Sequence, residues 1–471
     1  MADSKASKEP ENGFRMAFRF RLYPTPEQEV AMQANIDAAR YVYNRFLRER
    51  IDAYERTQPK LSRMRVDEEG KAVLDEKGKA IWDEVVNESY DPDAKPLSYY
   101  DTSRMLTAIK REVVGDDGTR FLKEADAIAL GYALRNLDSA YQNFFRNLKR
   151  GMTTGYPRFK KRSRGGSYKT SATGSKGLLV RPPAHGERLA SIFLPKIGWV
   201  PMRLHRQVKG TPVSVAINHA PSGRWYASIS VKGVEIEPAQ ALDRPMVGIA
   251  TGIEPWIETS DGLVVASPRT SRRYEKRLAR AEKKRARMVK GSSNYRKQCR
   301  RIARIHEKIE AARRDATHNA TRELVDTYQV MAVRDMAVKS MLEGKALPGK
   351  AGRRLKTSIA DANLAEINRQ LDYKAAWAGR TVIHVPGDTP TVQICPACGE
   401  RNEVLASDLT PSWVCPNCGK TWYRRSAAAQ NVLMCGEDIL HGTEHASATR
   451  ARKEKREELK RRKKGEGEKA A

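Results

Sequence analysis

Hydrophobic and polar positions change their period along the first third of the chain. Residues 14–22, FRMAFRFRL, alternate apolar side chains with arginines, and this period of two predicts a half-buried strand with a basic face. From Pro26 to about Glu55 the apolar positions recur at helical spacing, after a Thr-Pro start signal. Two more helices are predicted over residues 98–114 and 120–150. We therefore expect a mainly helical lobe over residues 26–150.

Strand-like alternation returns over residues 155–234, in segments such as SIFLPKIGWVPMRL and VSVAINHA. Residues 14–25 and 151–234 together predict a small β-barrel that the helical lobe interrupts. Within the lobe, residues 66–82 repeat an Asp-Glu-x-Gly-Lys-Ala unit, which predicts a hairpin insertion. Residues 235–244, EIEPAQALDR, have the composition of a linker.

The second half of the chain begins with three short apolar runs after Met246, joined by Glu-Pro and Ser-Asp-Gly, which predict a three-strand meander. Apolar residues at 328–336 and 381–386 predict two further strands. Helices are predicted over residues 270–290, 294–325, 360–379 and 426–434. The whole pattern is that of an α+β multidomain protein whose second half has α/β character.

The chain is strongly basic, with 87 Lys and Arg against 57 Asp and Glu and a net charge of +30 over 471 residues. A protein this basic binds a polyanion, either a nucleic acid or an acidic membrane surface. The sequence has no apolar segment of membrane-spanning length, no signal peptide and no amphipathic anchor with bulky apolar residues opposite its charges. We therefore expect no membrane partner, and a cytoplasmic, nucleoid-associated protein of a prokaryote.

The positive charge is concentrated in residues 269–314, which hold 19 Lys and Arg against 4 Glu. A solvated helix pair would mix both signs to gain i,i+4 ion pairs, so the imbalance favours a surface that follows phosphates. The side chains expected to contact nucleic acid are Arg19, Arg21, Arg40, Arg158, Lys160, Lys161, Arg277, Arg280, Lys284, Arg300, Arg301 and Arg304.

Four of the six cysteines form two Cys-Pro-x-Cys-Gly knuckles, which are Cys395/Cys398 and Cys415/Cys418. Each knuckle places two thiolates on one tight turn, and two knuckles supply the four ligands of a tetrahedral zinc ion. The alternative is a pair of disulfides, but nothing else in the chain indicates an oxidising compartment. Four thiolates leave no open coordination position, so the expected Zn²⁺ is structural.

Several ordered motifs resemble one family. FRFRLYPTPEQ, RYVYNRFL, GYPRFKKR, LPKIGWV, SGRWYASI, GSSNYRK, LDYKAAWAG, CPACG, CPNCG and AAAQNVL follow one another between about residues 14 and 435. Their order is similar to that of TnpB-like proteins, the transposon-encoded RNA-guided nucleases related to type V CRISPR effectors. The resemblance implies a β-barrel wedge domain split by a helical recognition lobe, followed by a RuvC-like domain of RNase H fold with an inserted zinc-binding module that contacts target nucleic acid.

The domain boundaries combine the resemblance with the patterns described above. They are a disordered N-terminus at 1–13, the wedge at 14–25 and 151–234, the recognition lobe at 26–150, the linker at 235–244, the RuvC-like domain at 245–392 and 423–440, the zinc module at 393–422, and a basic tail at 441–471.

The chain departs from the family at the three positions where the resemblance places catalytic carboxylates. Gly-Ile-Ala-Thr-Gly puts Ala250 at the first, Val-Arg-Asp-Met puts Arg334 at the second, and Tyr-Arg-Arg-Ser-Ala-Ala-Ala puts Arg425 at the third. Two-metal cleavage needs anionic oxygen ligands for Mg²⁺, which alanine and arginine do not offer. Asp335 follows Arg334 on a strand and is expected to point to the opposite face. We therefore expect no enzyme activity and no catalytic Mg²⁺.

The leading hypothesis is a nuclease-dead, RNA-guided protein that binds guide-matched double-stranded DNA without cleaving it and represses or silences transcription. Its partners would be a guide RNA and a DNA target with a short adjacent motif, which the protein reads as other RNA-guided proteins do. The alternatives are an RNA-guided endonuclease with an unrecognised active site, a targeting subunit that delivers a protein effector in a transposition or other complex, and a protein that binds only RNA.

Overall fold

The computed structural model of the chain describes residues 13–67, 73, 75, 80–115, 118–152, 154–162, 165–171, 173–174, 177–178, 180–183, 188–236, 240–243, 246–343, 349–406, 410–454 and 457. The predicted N-terminal segment, the repeat in the hairpin insertion, part of the linker and most of the basic tail lie outside these residues. The chain divides into two compact units near Ile236.

The first unit contains a seven-stranded antiparallel sheet. Its order is β4-β10-β11-β1-β9-β8-β7, so β1 lies between two strands from much later in the sequence. The strands are β1 (Phe14–Leu22), β4 (Gly166–Ser171), β7 (Val180–Arg181), β8 (Ala190–Leu194), β9 (Gly198–Arg203), β10 (Thr211–His219) and β11 (Trp225–Val234). The predicted strand over residues 14–22 is confirmed, and its closure into a barrel stays a prediction.

Among the described residues of this unit, four α-helices follow β1. They are α1 (Pro26–Arg56), α2 (Tyr99–Glu112), α3 (Phe121–Glu124) and α4 (Ala127–Lys149). The predicted start of α1 is confirmed, because the Thr25 side chain accepts from the Gln28 N–H in a complete capping box. The helical region also contains a hairpin of β2 (Lys60–Met64) and β3 (Trp82–Val86), while β5 (Thr173–Gly174) pairs with β6 (Gly177–Leu178).

The second unit contains a five-stranded mixed sheet in the order β14-β13-β12-β15-β16. β12, β15 and β16 are parallel, whereas β13 and β14 continue β12 as an antiparallel meander. The strands are β12 (Val247–Thr251), β13 (Ile257–Thr259), β14 (Val264–Val265), β15 (Val330–Arg334) and β16 (Thr381–Val385). All five strands predicted for this half of the chain are confirmed.

In the described part of this unit, six α-helices accompany the five-stranded sheet. They are α5 (Thr270–Ala286), α6 (Ser293–Thr327), α7 (Val338–Glu343), α8 (Gly349–Ala362), α9 (Leu364–Ala378) and α10 (Arg424–His441). The single helix predicted over residues 360–379 was wrong in its extent, since Asn363 takes a left-handed conformation with φ of 53° and separates α8 from α9. Within the described residues, no helix is long and apolar enough to cross a membrane.

The core of this unit lies between the sheet, α6 and α9, and includes Ile249, Leu324 and Leu371. Helix α10 packs directly on β12, because Gly248 has no side chain to separate them. A Cβ at Gly248 would overlap the carbonyl oxygen of Ala429. This close approach places the second and third turns of α10 against the start of β12.

Candidate metal centre and nucleic-acid interface

The two cysteine knuckles have the same backbone geometry. In the first, the Gly399 N–H donates to the Cys395 carbonyl across 2.9 Å, and in the second the Gly419 N–H donates to the Cys415 carbonyl across 2.9 Å. Both glycines have positive φ, 78° and 69°, a region that favours glycine. The repeated Cys-Pro-x-Cys-Gly pattern therefore produces two matched turns.

The turns bring the four sulfurs together. Every pair of Sγ atoms lies within 4.8 Å, with Cys395 to Cys418 at 3.7 Å and Cys398 to Cys415 at 3.5 Å. A tetrahedral ion with Zn–S bonds of about 2.3 Å requires sulfurs about 3.8 Å apart, whereas a disulfide requires about 2.05 Å. The donor set thus fits one zinc ion, and the disulfide alternative does not match these separations.

A small apolar cluster supports the knuckles. Cys395 and Cys415 are buried with Leu405 and Trp413, and Trp422 packs against them. Trp413 and Trp422 are paired across β17 (Ser412–Val414) and β18 (Thr421–Tyr423). This cluster is too small to hold the module alone, so a bound ion would contribute much of its stability.

The three positions expected to carry carboxylates lie near one another at one end of the five-stranded sheet. Ala250 is buried on β12 against Ala428 and Ala429 of α10. Arg425, in the first turn of α10, donates from Nη1 to the Thr251 carbonyl across 2.9 Å. Burial lowers the pKa of the Arg425 guanidinium, and Arg424 and Arg334 lower it further, whereas Glu258 raises it.

Arg334 ends β15 and is held by the loop after β16. Its Nη2 donates to the Gly387 carbonyl across 2.6 Å, and its Nη1 to Thr391 Oγ1 across 3.4 Å. Burial lowers the pKa of this guanidinium as well. Its Nε is buried without a hydrogen-bond partner among the described residues. Two arginines thus stand at one end of the sheet, where the family resemblance placed carboxylates.

Two acidic side chains lie close to these positions. Glu258 stands opposite Ala250 in the β12–β13 ladder, so both side chains point to the same face. Burial raises the pKa of Glu258, while Arg425 counteracts this shift. Asp335 accepts from His384 at 2.7 Å, and His384 also bonds Asp372 at 2.8 Å. Asp335 is thus committed to an ion pair beside the sheet.

Four of the predicted nucleic-acid contacts surround one cavity of about 400 Å³ in the first unit. Arg40, Arg158, Lys160 and Lys161 line it, together with Lys169 and Asn218, which the sequence analysis did not select. Arg40 pairs with Asp37 at 2.8 Å, so part of its charge is neutralised.

Asn44 of α1 fixes the loop that carries Lys160. Its Nδ2 donates to the Lys160 carbonyl across 3.0 Å, and its Oδ1 accepts from the Lys160 N–H across 2.8 Å. The Lys160 ammonium lies 4.0 Å from the centre of the Tyr43 ring, and burial lowers its pKa. The contact between residues 116 positions apart has no local sequence signal, which is why sequence periodicity did not reveal it.

The two predicted arginines of β1 have different environments. Arg19 is exposed and its guanidinium lies 4.1 Å from the centre of the Tyr226 ring. Arg21 is partly buried and lies 4.7 Å from the Tyr23 ring, and its Nε is buried without a partner among the described residues. Arg19 is therefore available to a ligand, whereas Arg21 is held against the sheet.

Helices α5 and α6 form a cationic hairpin. Their apolar seam consists of Ala281, Ile302, Ile305 and Ile309. The six predicted contact residues on the hairpin are all exposed, and within the described part of the chain none forms an ion pair. They are Arg277, Arg280, Lys284, Arg300, Arg301 and Arg304.

A buried carboxylate anchors the base of this hairpin. Asp361 at the end of α8 accepts from the Thr270 hydroxyl, from the Ser271 N–H at 2.9 Å and from Arg313 Nη2 at 2.9 Å. Arg269, which precedes α5, offers no side-chain cap, so Asp361 satisfies donors of the first turn. These contacts fix the cationic hairpin to α8 of the second unit.

Comparison with family models gives three matches along the chain. Residues 228–344 match a model described as "Probable transposase", residues 15–59 a "Helix-turn-helix domain", and residues 365–432 a "Cas12f1-like, TNB domain". The segment 15–59 here forms strand β1 and the single long helix α1 rather than two short helices.

Two curated relatives match over most of the chain. "Putative RNA-guided DNA endonuclease InsQ" of Escherichia coli is 29% identical over 94% of this chain and 98% of its own length. A "Putative RNA-guided DNA endonuclease" of Streptomyces pristinaespiralis is 29% identical over 90% of this chain and 89% of its own length. Among solved structures, a Cas12f1–sgRNA–target DNA complex is 12% identical with a TM-score of 0.44, and covers 90% of this chain and 99% of that one.

These matches correct one prediction and confirm another. The prediction that the chain is not an enzyme was wrong, because relatives that match over nearly its whole length are named as endonucleases. The substitution of the three expected carboxylates was too narrow a basis for that prediction. The family resemblance is confirmed by the transposase and Cas12f1-like matches and by these relatives: the chain is TnpB-like.

Proposed function

We propose that this chain is an RNA-guided protein that targets double-stranded DNA. The observation that carries the proposal is its match over nearly full length to relatives named as RNA-guided DNA endonucleases. In such a protein, base pairing between guide and target reads the sequence, and the protein holds the RNA–DNA duplex by its backbone. The strongly basic composition supplies the charge that this role requires.

The guide RNA lies along the cationic hairpin in this proposal. Six exposed Arg and Lys side chains on α5 and α6 have no described ion-pair partner, so they can release counterions by binding phosphates. The cavity lined by Arg158, Lys160 and Lys161 is a second phosphate-binding surface. A short duplex motif next to the target would be read by the protein directly.

The finer domain assignment is part of the proposal. The seven-stranded sheet and its helices would be the wedge and the recognition lobe, with the boundaries predicted from the sequence. The five-stranded sheet would be a RuvC-like domain of RNase H fold, and residues 393–422, between β16 and α10, would be its zinc module. The order β14-β13-β12-β15-β16, with an antiparallel meander followed by two parallel strands, supports this assignment.

Because the relatives are named as endonucleases, we also propose that this protein cleaves the target DNA. Two-metal hydrolysis would need carboxylates other than those lost at Ala250, Arg334 and Arg425. Glu258 stands opposite Ala250 in the β12–β13 ladder and points to the same face, so it is the described carboxylate that we assign to such a site. Magnesium would be held there by Glu258 together with substrate phosphate.

Binding of the target DNA would also affect gene expression. The guanidinium groups of Arg334 and Arg425 offer positive charge at the sheet end where a DNA strand would lie, and they favour retention of the duplex. A retained complex obstructs RNA polymerase, so we also propose repression of a promoter that matches the guide. A protein effector bound to the complex would be recognised by its co-purification.

The experiment starts from protein purified from its native host with the RNA that accompanies it. That RNA is sequenced, and the complex is mixed with supercoiled plasmid carrying or lacking the matching sequence, with Mg²⁺ or EDTA. Guide-dependent binding is the expected result, and cleavage that requires Mg²⁺ and is lost in Glu258→Gln would support the assigned site. Binding of RNA without any matched DNA would contradict the proposal, and a promoter–reporter plasmid tests repression in cells.

A further inference from the structure

We propose that the end of α4 carries a stacking platform for unpaired bases of the guide RNA. This inference rests on the proposed function and deepens it by naming a site for single-stranded RNA. The platform consists of four aromatic side chains, Tyr141, Phe144, Phe145 and Tyr156, whose rings contact one another. No motif in the sequence analysis assigned these residues to the nucleic-acid surface.

The platform is rigid at its base. Tyr141 is buried, and its hydroxyl lies 2.7 Å from the hydroxyl of Tyr156, so the two rings fix each other edge to face. The chain can reverse after α4 because Gly151 takes φ of 65°, and the Met152 N–H then donates to the Asn147 carbonyl across 3.0 Å. This turn returns Tyr156 to the helix it has just left.

The upper surface of the platform is open. Phe145 is 51% exposed and Tyr156 is 41% exposed, although both are large aromatic residues. The Phe145 ring is inclined by 26° to the Tyr141 ring with ring centres 6.3 Å apart, and Phe144 contacts it edge to face at 5.3 Å. A base that stacked on the exposed part of the Phe145 ring would extend this aromatic cluster, and every base offers a π-face for this contact.

Basic residues near the platform indicate that its ligand is a nucleic acid. Between Asp138 and Glu187 the sequence has no acidic residue and eleven Lys and Arg. Arg146 and Lys149 belong to the last turn of α4, beside Phe145. A strand of RNA satisfies both features, because its phosphates complement the basic side chains and its bases can stack on the aromatic rings.

RNA is the occupant that we assign, because the guide is the resident ligand and contains unpaired segments. Bases in RNA loops and single strands are unstacked and free to lie on aromatic side chains. In the proposed complex the target DNA strand is paired with the guide, so its bases are already stacked. The displaced DNA strand is the competing occupant.

Phe145 provides a sharp test because it is exposed and can be changed without opening the core. The full-length protein is titrated with single-stranded RNA of about twelve nucleotides that contains one 2-aminopurine. Anisotropy gives the affinity, and quenching of 2-aminopurine reports stacking. The variants are Phe145→Ala, Phe145→Trp, which keeps an aromatic ring, and Leu148→Ala, which removes a 58% exposed apolar side chain from the next turn.

We expect Phe145→Ala to weaken binding about five-fold to a hundred-fold and to abolish quenching, while Phe145→Trp and Leu148→Ala behave as the wild type. Equal losses in Phe145→Ala and Leu148→Ala would show a merely apolar patch and overturn the platform. Tighter binding of DNA of the same length, with the same dependence on Phe145, would assign the site to the displaced strand and overturn the choice of RNA.

The failure of this inference is distinguishable from the failure of the proposed function. If Phe145→Ala leaves the affinity and the quenching unchanged, the platform is excluded, and guide-dependent DNA binding by the natively purified complex still supports the proposed function. If the wild type binds neither single-stranded RNA nor its co-purified guide, both proposals are wrong. Circular dichroism melting of each variant checks that the fold is intact.

Discussion

Arg425 donates a hydrogen bond from Nη1 to the backbone carbonyl of Thr251 across 2.9 Å. The bond joins the first turn of α10 to the end of β12, one residue beyond Ala250. Gly252 makes room for this arrangement, because a Cβ there would overlap the Arg425 guanidinium. A positive charge is therefore held in place by the backbone where the family resemblance placed a carboxylate.

Replacement of Arg425 by Gln should weaken binding of guide-matched DNA. If the guanidinium contacts a phosphate, its loss lowers affinity about ten-fold and reduces the slope of log K against log salt by about one. Filter binding at several salt concentrations measures both quantities. Arg322→Gln is the matched control, since Arg322 is exposed and paired with Asp326 at 3.3 Å. An unchanged slope in Arg425→Gln would exclude the phosphate contact.

Removal of zinc should unfold the module at residues 393–422. Wild-type protein is expected to hold about one zinc per chain by elemental analysis, and Cys395→Ser is expected to hold none, because three thiolates bind the ion poorly. Chelation should lower the melting temperature of wild type but not of Cys395→Ser. Cys299→Ser is the control, since Cys299 lies outside the four-sulfur cluster. Equal zinc content in all three proteins would contradict this site.

His384 should make the stability of the second unit depend on alkaline pH. Hydrogen bonds to Asp372 and Asp335 raise the pKa of His384 to about 9, whereas an unfolded histidine has a pKa of about 6.5. The folded state thus binds a proton that the unfolded state lacks between these values. Its contribution to the free energy of unfolding is complete below pH of about 6.5 and is lost as the pH rises through about 9.

Urea unfolding of wild type and His384→Gln at pH 6, 7.5 and 9.5 tests this expectation. The difference between the two proteins should be largest at the lowest pH and should shrink as the pH rises, and its size should be modest because the side chain is 36% exposed. His306→Gln, on the exposed face of α6, is the control. A difference that grows with pH would show that the sign of the linkage is wrong.

The period of the apolar positions was sufficient to predict the strands and most helices. It placed β1 and α1, whose apolar positions recur at the period of a strand and of a helix, and the five strands of the mixed sheet, which are short apolar runs such as the fully buried β12. The break between α8 and α9 was missed because Asn363 adopts a left-handed conformation that the helical spacing around it conceals. The knuckles were predictable because their chemistry is local and repeated.

Long-range contacts were not predictable in the same way. The cavity that unites Arg40 of α1 with Lys160 and Lys169 joins residues more than a hundred positions apart, and Asn44 fixes that arrangement through backbone hydrogen bonds. The aromatic platform was not predicted, because spacing alone shows that Phe144 and Phe145 lie on α4 but not which ring remains exposed. Such contacts depend on how the chain packs.

Gly248 and Gly131 should respond in opposite directions to substitution by alanine. At Gly248 a Cβ would overlap the Ala429 carbonyl, so α10 must move away from β12, and we expect destabilisation by about 1–3 kcal/mol. Gly131 lies inside α4 with open space around its Cα, and Gly131→Ala should stabilise the protein by about 0.5–1 kcal/mol. Urea denaturation of both variants measures the two shifts. Similar effects at both sites would contradict the close packing of α10.

The cationic hairpin should determine the salt dependence of RNA binding. The triple variant with Gln at Arg300, Arg301 and Arg304 removes three exposed charges from one face of α6 while leaving the apolar seam at Ile302 and Ile305 intact. If each arginine neutralises a phosphate of single-stranded RNA, the slope of log K against log salt should decrease by about two. Arg322→Gln, on the same helix, controls for the loss of a paired charge. A triple variant with lower affinity but an unchanged slope would mean that these side chains act through the fold of the hairpin, because direct phosphate contacts cannot be removed without releasing fewer counterions.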